Sequence, residues 1–253
     1  MPLRFDSKLV VYVTVGDPSL ATSEKIVLAA IDSGADLIEL GVPFSDPVAD
    51  GPVIQRASER ALKTHVSLQD VLVLAARVRQ QRPQTGLIIF SYLNPLMRFG
   101  LHRFADEARR AGIDGVLATD LTVEESDEYR RIMRARGLNT IFLAAPTSPD
   151  TRLKRVAQCS TGFVYAVSRT GVTGADREAD IRGEVQTLVR RIRKHTKLPI
   201  AVGFGISTAD HFRAVTDFAD SAVVGSAIVK LIEERGERAP AAVSAFIRSL
   251  KGL

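Results

Sequence analysis

Short runs of aliphatic and β-branched residues alternate with longer stretches of helical period from one end of the chain to the other. The short runs predict strands at Leu9–Val15, Asp36–Gly41, Gly86–Tyr92, Asp114–Thr119, Asn139–Ala145, Gly162–Ser168, Pro199–Gly203 and Ser221–Gly225. Between them the period lengthens, predicting helices at Thr22–Ser33, Ser67–Gln81, His102–Ala111, Val123–Arg136, Asp150–Cys159, Asp180–His195 and Ser207–Thr216. Two more follow the last strand, Ser226–Glu234 and Ala239–Leu250. Strand entries echo one another, as in SGADLIELG, AGIDGVLATD, STGFVYAVS and DFADSAVVGS, which suggests a repeated strand–helix unit. Eight such units in 253 residues predict an α/β fold of the (β/α)8 TIM-barrel type, with residues 1–253 as a single domain. A doubly wound open sheet is the alternative.

Composition narrows the classes. The chain is 45% hydrophobic, enough for a sizeable core, yet has no apolar run long enough to cross a membrane. Its first residues, MPLRFDSK, lack the long apolar region of a secretory signal. Cys159 is the one cysteine, which rules out an internal disulfide and fits a reducing, cytoplasmic setting. His65, His102, His195 and His211 are scattered, so no metal site is expected. The net charge is +5, with the excess in RRIMRAR (Arg130–Arg136) and RRIRKHTK (Arg190–Lys197). Cations at helix C-termini explain both runs, and without interleaved aromatics they do not predict nucleic-acid binding.

In a barrel of this kind the chemistry sits at the C-terminal ends of the strands. Alternation along Asp36–Gly41 sets Ile38 and Leu40 on one face and Leu37, Glu39 and Gly41 on the other, so Glu39 points into the barrel mouth. A carboxylate there either finds a cation or backbone donors, or its pKa rises toward that of a group that gives and takes protons near neutrality. Asp50 closes a loop stiffened by Pro43, Pro47 and Pro52, and Asp46 in the same loop has the context of a turn or an interface. After the last two strands come GFGIS (Gly203–Ser207) and GSAIV (Gly225–Val229); glycines and helix N–H groups at that place suit a phosphate, or simply tight turns. SRTGVTGAD (Ser168–Asp176) has the composition of a closing loop or of an ordinary one. Tyr12, Thr14, Tyr92 and Tyr165 are placed to face inward.

Taken in order, GDPS, IELGVPFSDPVADGPVIQRA, YLNP, SRTGVTG, GFGIS and GSAIVK resemble the tryptophan synthase alpha subunit family from about Thr14 to Leu231. The resemblance implies retro-aldol cleavage of indole-3-glycerol phosphate to indole and glyceraldehyde 3-phosphate, with no cofactor in this chain. It implies Glu39 and Asp50 as the catalytic acids, a substrate and phosphate site at Tyr165, Gly174, Phe204, Gly205, Gly225 and Ser226, and an indole pocket of Tyr12, Ile54, Phe90, Tyr92 and Leu117. Thr173 would close over the site. Pro43 and Asp46 would face a pyridoxal-phosphate-dependent beta subunit in an alpha-beta-beta-alpha assembly, to which indole is passed. Two departures stand out: only eight residues precede the first predicted strand, where the family usually carries a helix, and Thr122 stands where many members have proline. A lyase acting alone, or a silent partner-activating subunit, would share most of the pattern; the latter would not need both acids.

Overall fold

The structure, a computed structural model, describes residues 9–167, 175–203 and 205–253, with 175–181 described by their backbone. The strands are β1 (Leu9–Thr14), β2 (Leu37–Gly41), β3 (Gly86–Ser91), β4 (Gly115–Ala118), β5 (Asn139–Ala144), β6 (Val164–Val167), β7 (Ile200–Gly203) and β8 (Ser221–Val224). All pair in parallel in chain order, and β1 pairs with β8, so the sheet closes on itself as a TIM barrel. Closure leaves no strand edge to pair with another chain.

The helices are α1 (Leu20–Asp32), α2 (Pro52–Leu62), α3 (Leu68–Gln81), α4 (Leu93–Phe99), α5 (Leu101–Arg110), α6 (Asp127–Ala135), α7 (Asp150–Cys159), α8 (Ala175–Arg193), α9 (Ala209–Thr216), α10 (Ser226–Arg235) and α11 (Ala239–Lys251). The predicted helix at Val123–Arg136 is divided: a 3-10 turn covers Val123–Glu125, following Thr122, and α6 begins at Asp127. Two helices, α2 and α4, were not predicted. α2 follows a proline-rich loop, yet Pro52 occupies its first turn, where a missing N–H costs nothing. α4 has only 7 residues, too few for its period to register.

Two separate apolar layers follow from strand alternation. Ile38 and Leu40, with Val11, Val13, Leu87 and Ile89, pack outward against the helices. Val10, Leu37, Ile88, Leu117, Ile141, Phe163 and Tyr165 fill the barrel itself. The interior is therefore a plugged floor, and the space available for a ligand lies above it, at the C-terminal ends of the strands.

Candidate active site

Glu39 is one residue pair above the floor on β2, in register with Tyr12 of β1 and Ile88 of β3. Its side chain is fully buried, and neither carboxyl oxygen has a hydrogen-bond partner. Burial alone pushes its pKa up to about 8, because water no longer stabilises the anion. At neutral pH this group is a carboxylic acid with a proton to give.

Asp50 is held quite differently. Gly51 is the N-cap of α2 and Pro52 its first residue, so the loop from Pro43 ends in a rigid helix start just after the acid. The Tyr92 hydroxyl donates to Asp50 Oδ2 at 3.0 Å, and the Ala49 backbone N–H donates to that same hydroxyl at 2.9 Å. Gln55 Nε2 fastens the Asp50 carbonyl at 2.9 Å. Partial burial raises the Asp50 pKa to about 6, with the Tyr92 hydrogen bond pulling the other way. Asp50 is thus an anion at the pH where Glu39 is neutral, and the two environments push two carboxyl groups into two roles.

Tyr12, the register partner of Glu39 on β1, is 5% exposed, its ring edge-on to Phe90 with centroids 5.0 Å apart. Thr14 Oγ1 donates to its hydroxyl at 3.3 Å. Burial first, and then the nearby Asp50, raise its pKa, so the phenol stays neutral. Only glycine fits at Gly41: a Cβ there would lie 2.6 Å from Tyr12 Cζ. Gly203 makes the same allowance for Tyr165, whose Cε1 would lie 2.8 Å from a Cβ.

These groups border one cavity of about 420 Å³, the size of a small aromatic ligand with a polar tail. Glu39, Asp50, Tyr12, Phe90, Ile54 and Tyr165 are among the side chains that line it. Gly205, Gly225 and Ser226 line it as a second group, a glycine-rich rim, where Gly225 is the N-cap of α10 and stands beside Tyr12. The free N–H groups of that first turn and the Ser226 hydroxyl make the rim a place for an anion.

Leu117, the register partner of Phe90 on β4, belongs to the cluster that fills the barrel and is not among the lining residues. Tyr92 is also not among the lining residues; it packs against Phe44, centroids 5.1 Å apart, and its hydroxyl bonds to the lining residues Asp50 and Ala49. Pro43 is buried at the root of the loop, whereas Asp46 is exposed and accepts from Ser45 Oγ at 2.6 Å. Thr173, Gly174 and Phe204 lie outside the described residues. Ile206 and Ser207, within the GFGIS stretch that suits a phosphate, also line the cavity, as do Val53 and Lys230, which the sequence reading does not single out. For Lys230 a signal existed: it lies one helical turn beyond Ser226 in GSAIVK. Among the described residues, no group of three or more His, Cys, Asp or Glu could hold a metal ion, and no helix is long and apolar enough to cross a membrane.

Comparison with known proteins adds a second line of evidence. The family model described as tryptophan synthase alpha chain matches residues 4–252. The tryptophan synthase alpha chain of Solibacter usitatus is 50% identical over 245 residues, 96% of this chain and 91% of that one. A solved structure of the tryptophan synthase a2b2 complex from Pyrococcus furiosus superimposes with a TM-score of 0.89 at 37% identity, covering 98% of each chain. The tryptophan synthase subunit alpha of Legionella pneumophila has a TM-score of 0.89 at 36% identity, covering 97% of this chain and 92% of that one.

Proposed function

The chain belongs to the tryptophan synthase alpha chain family, and from that membership we propose how its barrel mouth performs the family's reaction. That reaction is aldolase-type cleavage of indole-3-glycerol phosphate to indole and glyceraldehyde 3-phosphate, with the indole passed to a beta subunit for L-tryptophan synthesis. The observation that carries the assignment of residues is the pairing of a buried, unpartnered Glu39 with an ionised, tethered Asp50 across one cavity.

The C–C bond breaks only if the indole ring becomes able to leave. Glu39, protonated at rest, gives its proton to ring C3. The positive charge that develops spreads to the ring nitrogen, whose N–H donates to the Asp50 carboxylate. Glu39, now anionic in a dry site, is a strong base and takes the proton of the adjacent glycerol hydroxyl. The electrons of that O–H bond form the aldehyde carbonyl, the C–C bond breaks toward the ring, and Glu39 ends protonated as it began. The indole ring lies against Tyr12, Phe90 and Ile54, and the phosphate lies at Gly205, Gly225 and Ser226. Thr173, Gly174 and Phe204 are assigned to loop closure and phosphate binding by the resemblance alone. The chain's own chemistry is proton exchange between the Glu39 carboxyl and the substrate, for which no cofactor is required; pyridoxal phosphate belongs to the beta subunit. Pro43 and Asp46 are proposed to face that partner, and the chain to act in the cytoplasm.

The purified chain is expected to release indole slowly from indole-3-glycerol phosphate, and faster when a tryptophan synthase beta subunit is added. Absence of indole in both settings would remove the proposal; a rate indifferent to the beta subunit would instead mark a lyase that acts alone. The pH dependence has a definite sign. Activity needs Asp50 ionised and Glu39 protonated, so kcat/KM rises as pH passes about 6 and falls as it passes about 8. Asp50→Asn should abolish the acid limb along with most of the rate. A profile flat from about pH 5 to 9 would contradict both assignments.

A further inference from the structure

An ionic network outside the cavity joins the three elements that carry its walls. Asp17, in the turn after β1, is 1% exposed and takes both arms of the Arg60 guanidinium, Nε and Nη2, each at 2.8 Å. Its own backbone is tied down: its N–H donates to the Thr14 carbonyl at 3.3 Å and its carbonyl accepts from Ser23 Oγ at 3.3 Å. Arg60 Nη1 reaches on to Glu233 of α10 at 2.7 Å. Glu233 also takes a two-armed hold from Arg56, one turn earlier on α2, at 2.8 and 2.9 Å. The Arg56 hydrogen bond leads the causes that hold the Glu233 carboxyl down at about 2. At the centre of the same contact, Ala57 of α2 and Val229 of α10 are fully buried against Tyr12. β1, α2 and α10 therefore meet at an apolar centre with an ionic clamp behind it.

Each clamped element ends at a different part of the site. β1 carries Tyr12, α2 starts just after Asp50, and α10 starts at Ser226. Arg60 lies eight residues from Pro52, the first residue of α2, and Glu233 seven from Ser226, about 12 Å and 10 Å along straight helices. A tilt at the clamp is carried undiminished to both helix starts, because helices of this length behave as rods. We propose that Arg60 is a positioning residue which, through Asp17 and Glu233, fixes the distance between the indole-side acid and the anion-binding rim, so that the cavity measures its substrate end to end. This rests on the function proposed above.

The test separates a ruler from a mere stabiliser. Binding of indole alone, of glycerol 3-phosphate alone and of a non-cleavable indole-3-alkyl phosphate is measured by calorimetry on the full chain, with kcat and KM for cleavage. The proteins are wild type, Arg60→Met, Arg60→Lys and Glu233→Gln. In Arg60→Met each half-ligand should bind within about twofold of wild type, whereas the joined ligand weakens at least tenfold and kcat falls up to about 100-fold, the size of effect a 1 Å misplacement produces. Arg60→Lys keeps the charge but loses the fork, and should show the same pattern more weakly. Glu233→Gln leaves the Asp17 pair intact and serves if Arg60→Met fails to fold. Equal losses for half-ligands and joined ligand, or joined-ligand binding and kcat unchanged in folded variants, would overturn the inference. Wild type that neither binds the joined ligand nor cleaves substrate would strike the proposed function instead.

Discussion

Glu39→Gln is expected to lose indole release by a factor of about 100 to 10,000 and to gain stability at the same time. The loss follows from removing the group that both gives and takes a proton. The gain follows from linkage. The folded protein holds Glu39 at about 8, above the ordinary 4.5, so between those values it keeps a proton that the unfolded chain releases. The contribution of that proton to stability is complete below about 4.5 and is lost as pH rises toward 8. At pH 7 the penalty in the wild-type protein spans about 2.5 pH units, or about 3 kcal/mol. Gln carries no charge in either state and escapes it. Thermal unfolding at pH 4 and pH 7 should therefore show near equality at the lower value and a melting point higher by roughly 5–10 °C for the variant at the higher one. A variant less stable than wild type at pH 7 would mean that Glu39 is ionised beside a partner, and the proton-transfer role would go with it. The trade of stability for activity is what a buried, unpartnered acid implies.

Gly41→Ala should damage the indole side of the cavity while leaving the anion rim intact. The new methyl would overlap the Tyr12 phenol, which cannot retreat: Phe90 stands edge-on to it, and Ala57 and Val229 close the space behind. The ring can only swing into the cavity. The fold survives, at the roughly 1–3 kcal/mol cost of overpacking. KM for the substrate is expected to rise at least tenfold, with affinity for glycerol 3-phosphate unchanged. Tyr12→Phe in the same chain removes the atom that would be struck first and should recover part of the loss, a coupling that a double-mutant cycle measures directly. Independent, additive effects would show that Gly41 matters for some reason other than room for Tyr12.

The barrel was legible because all eight strands are short, apolar and separated by helical periods, and because their entries repeat. Glu39 was legible for a simpler reason: alternation by twos leaves it on the face opposite Ile38 and Leu40, and the structure places those two in the outer layer. What the pattern does not show has causes of its own. Parity says that Leu117 points inward but not what it packs against, and it joins the cluster that fills the barrel. Tyr92 has the parity of a wall residue, yet its hydroxyl is engaged by Asp50, a contact across 42 positions that no local pattern announces. The Arg60 bonds to Asp17 and Glu233 span 43 and 173 positions and are equally invisible from the chain alone. α2 is hidden because Pro52 reads as the end of a proline-rich loop, when it is the start of a helix.

The aromatic lining described above also gives the protein an optical property. The chain contains no tryptophan and 4 tyrosines, and three of these, Tyr12, Tyr92 and Tyr165, either wall the cavity or hydrogen-bond to one of its acids. The fourth, Tyr129, is a buried residue of α6 whose hydroxyl donates to the Val116 carbonyl. Near-ultraviolet absorbance and emission thus come mainly from the neighbourhood of the reaction, against a background with no indole side chain. The ligand's own ring supplies the missing chromophore, so its arrival and departure can be followed by energy transfer from native side chains without attaching a label.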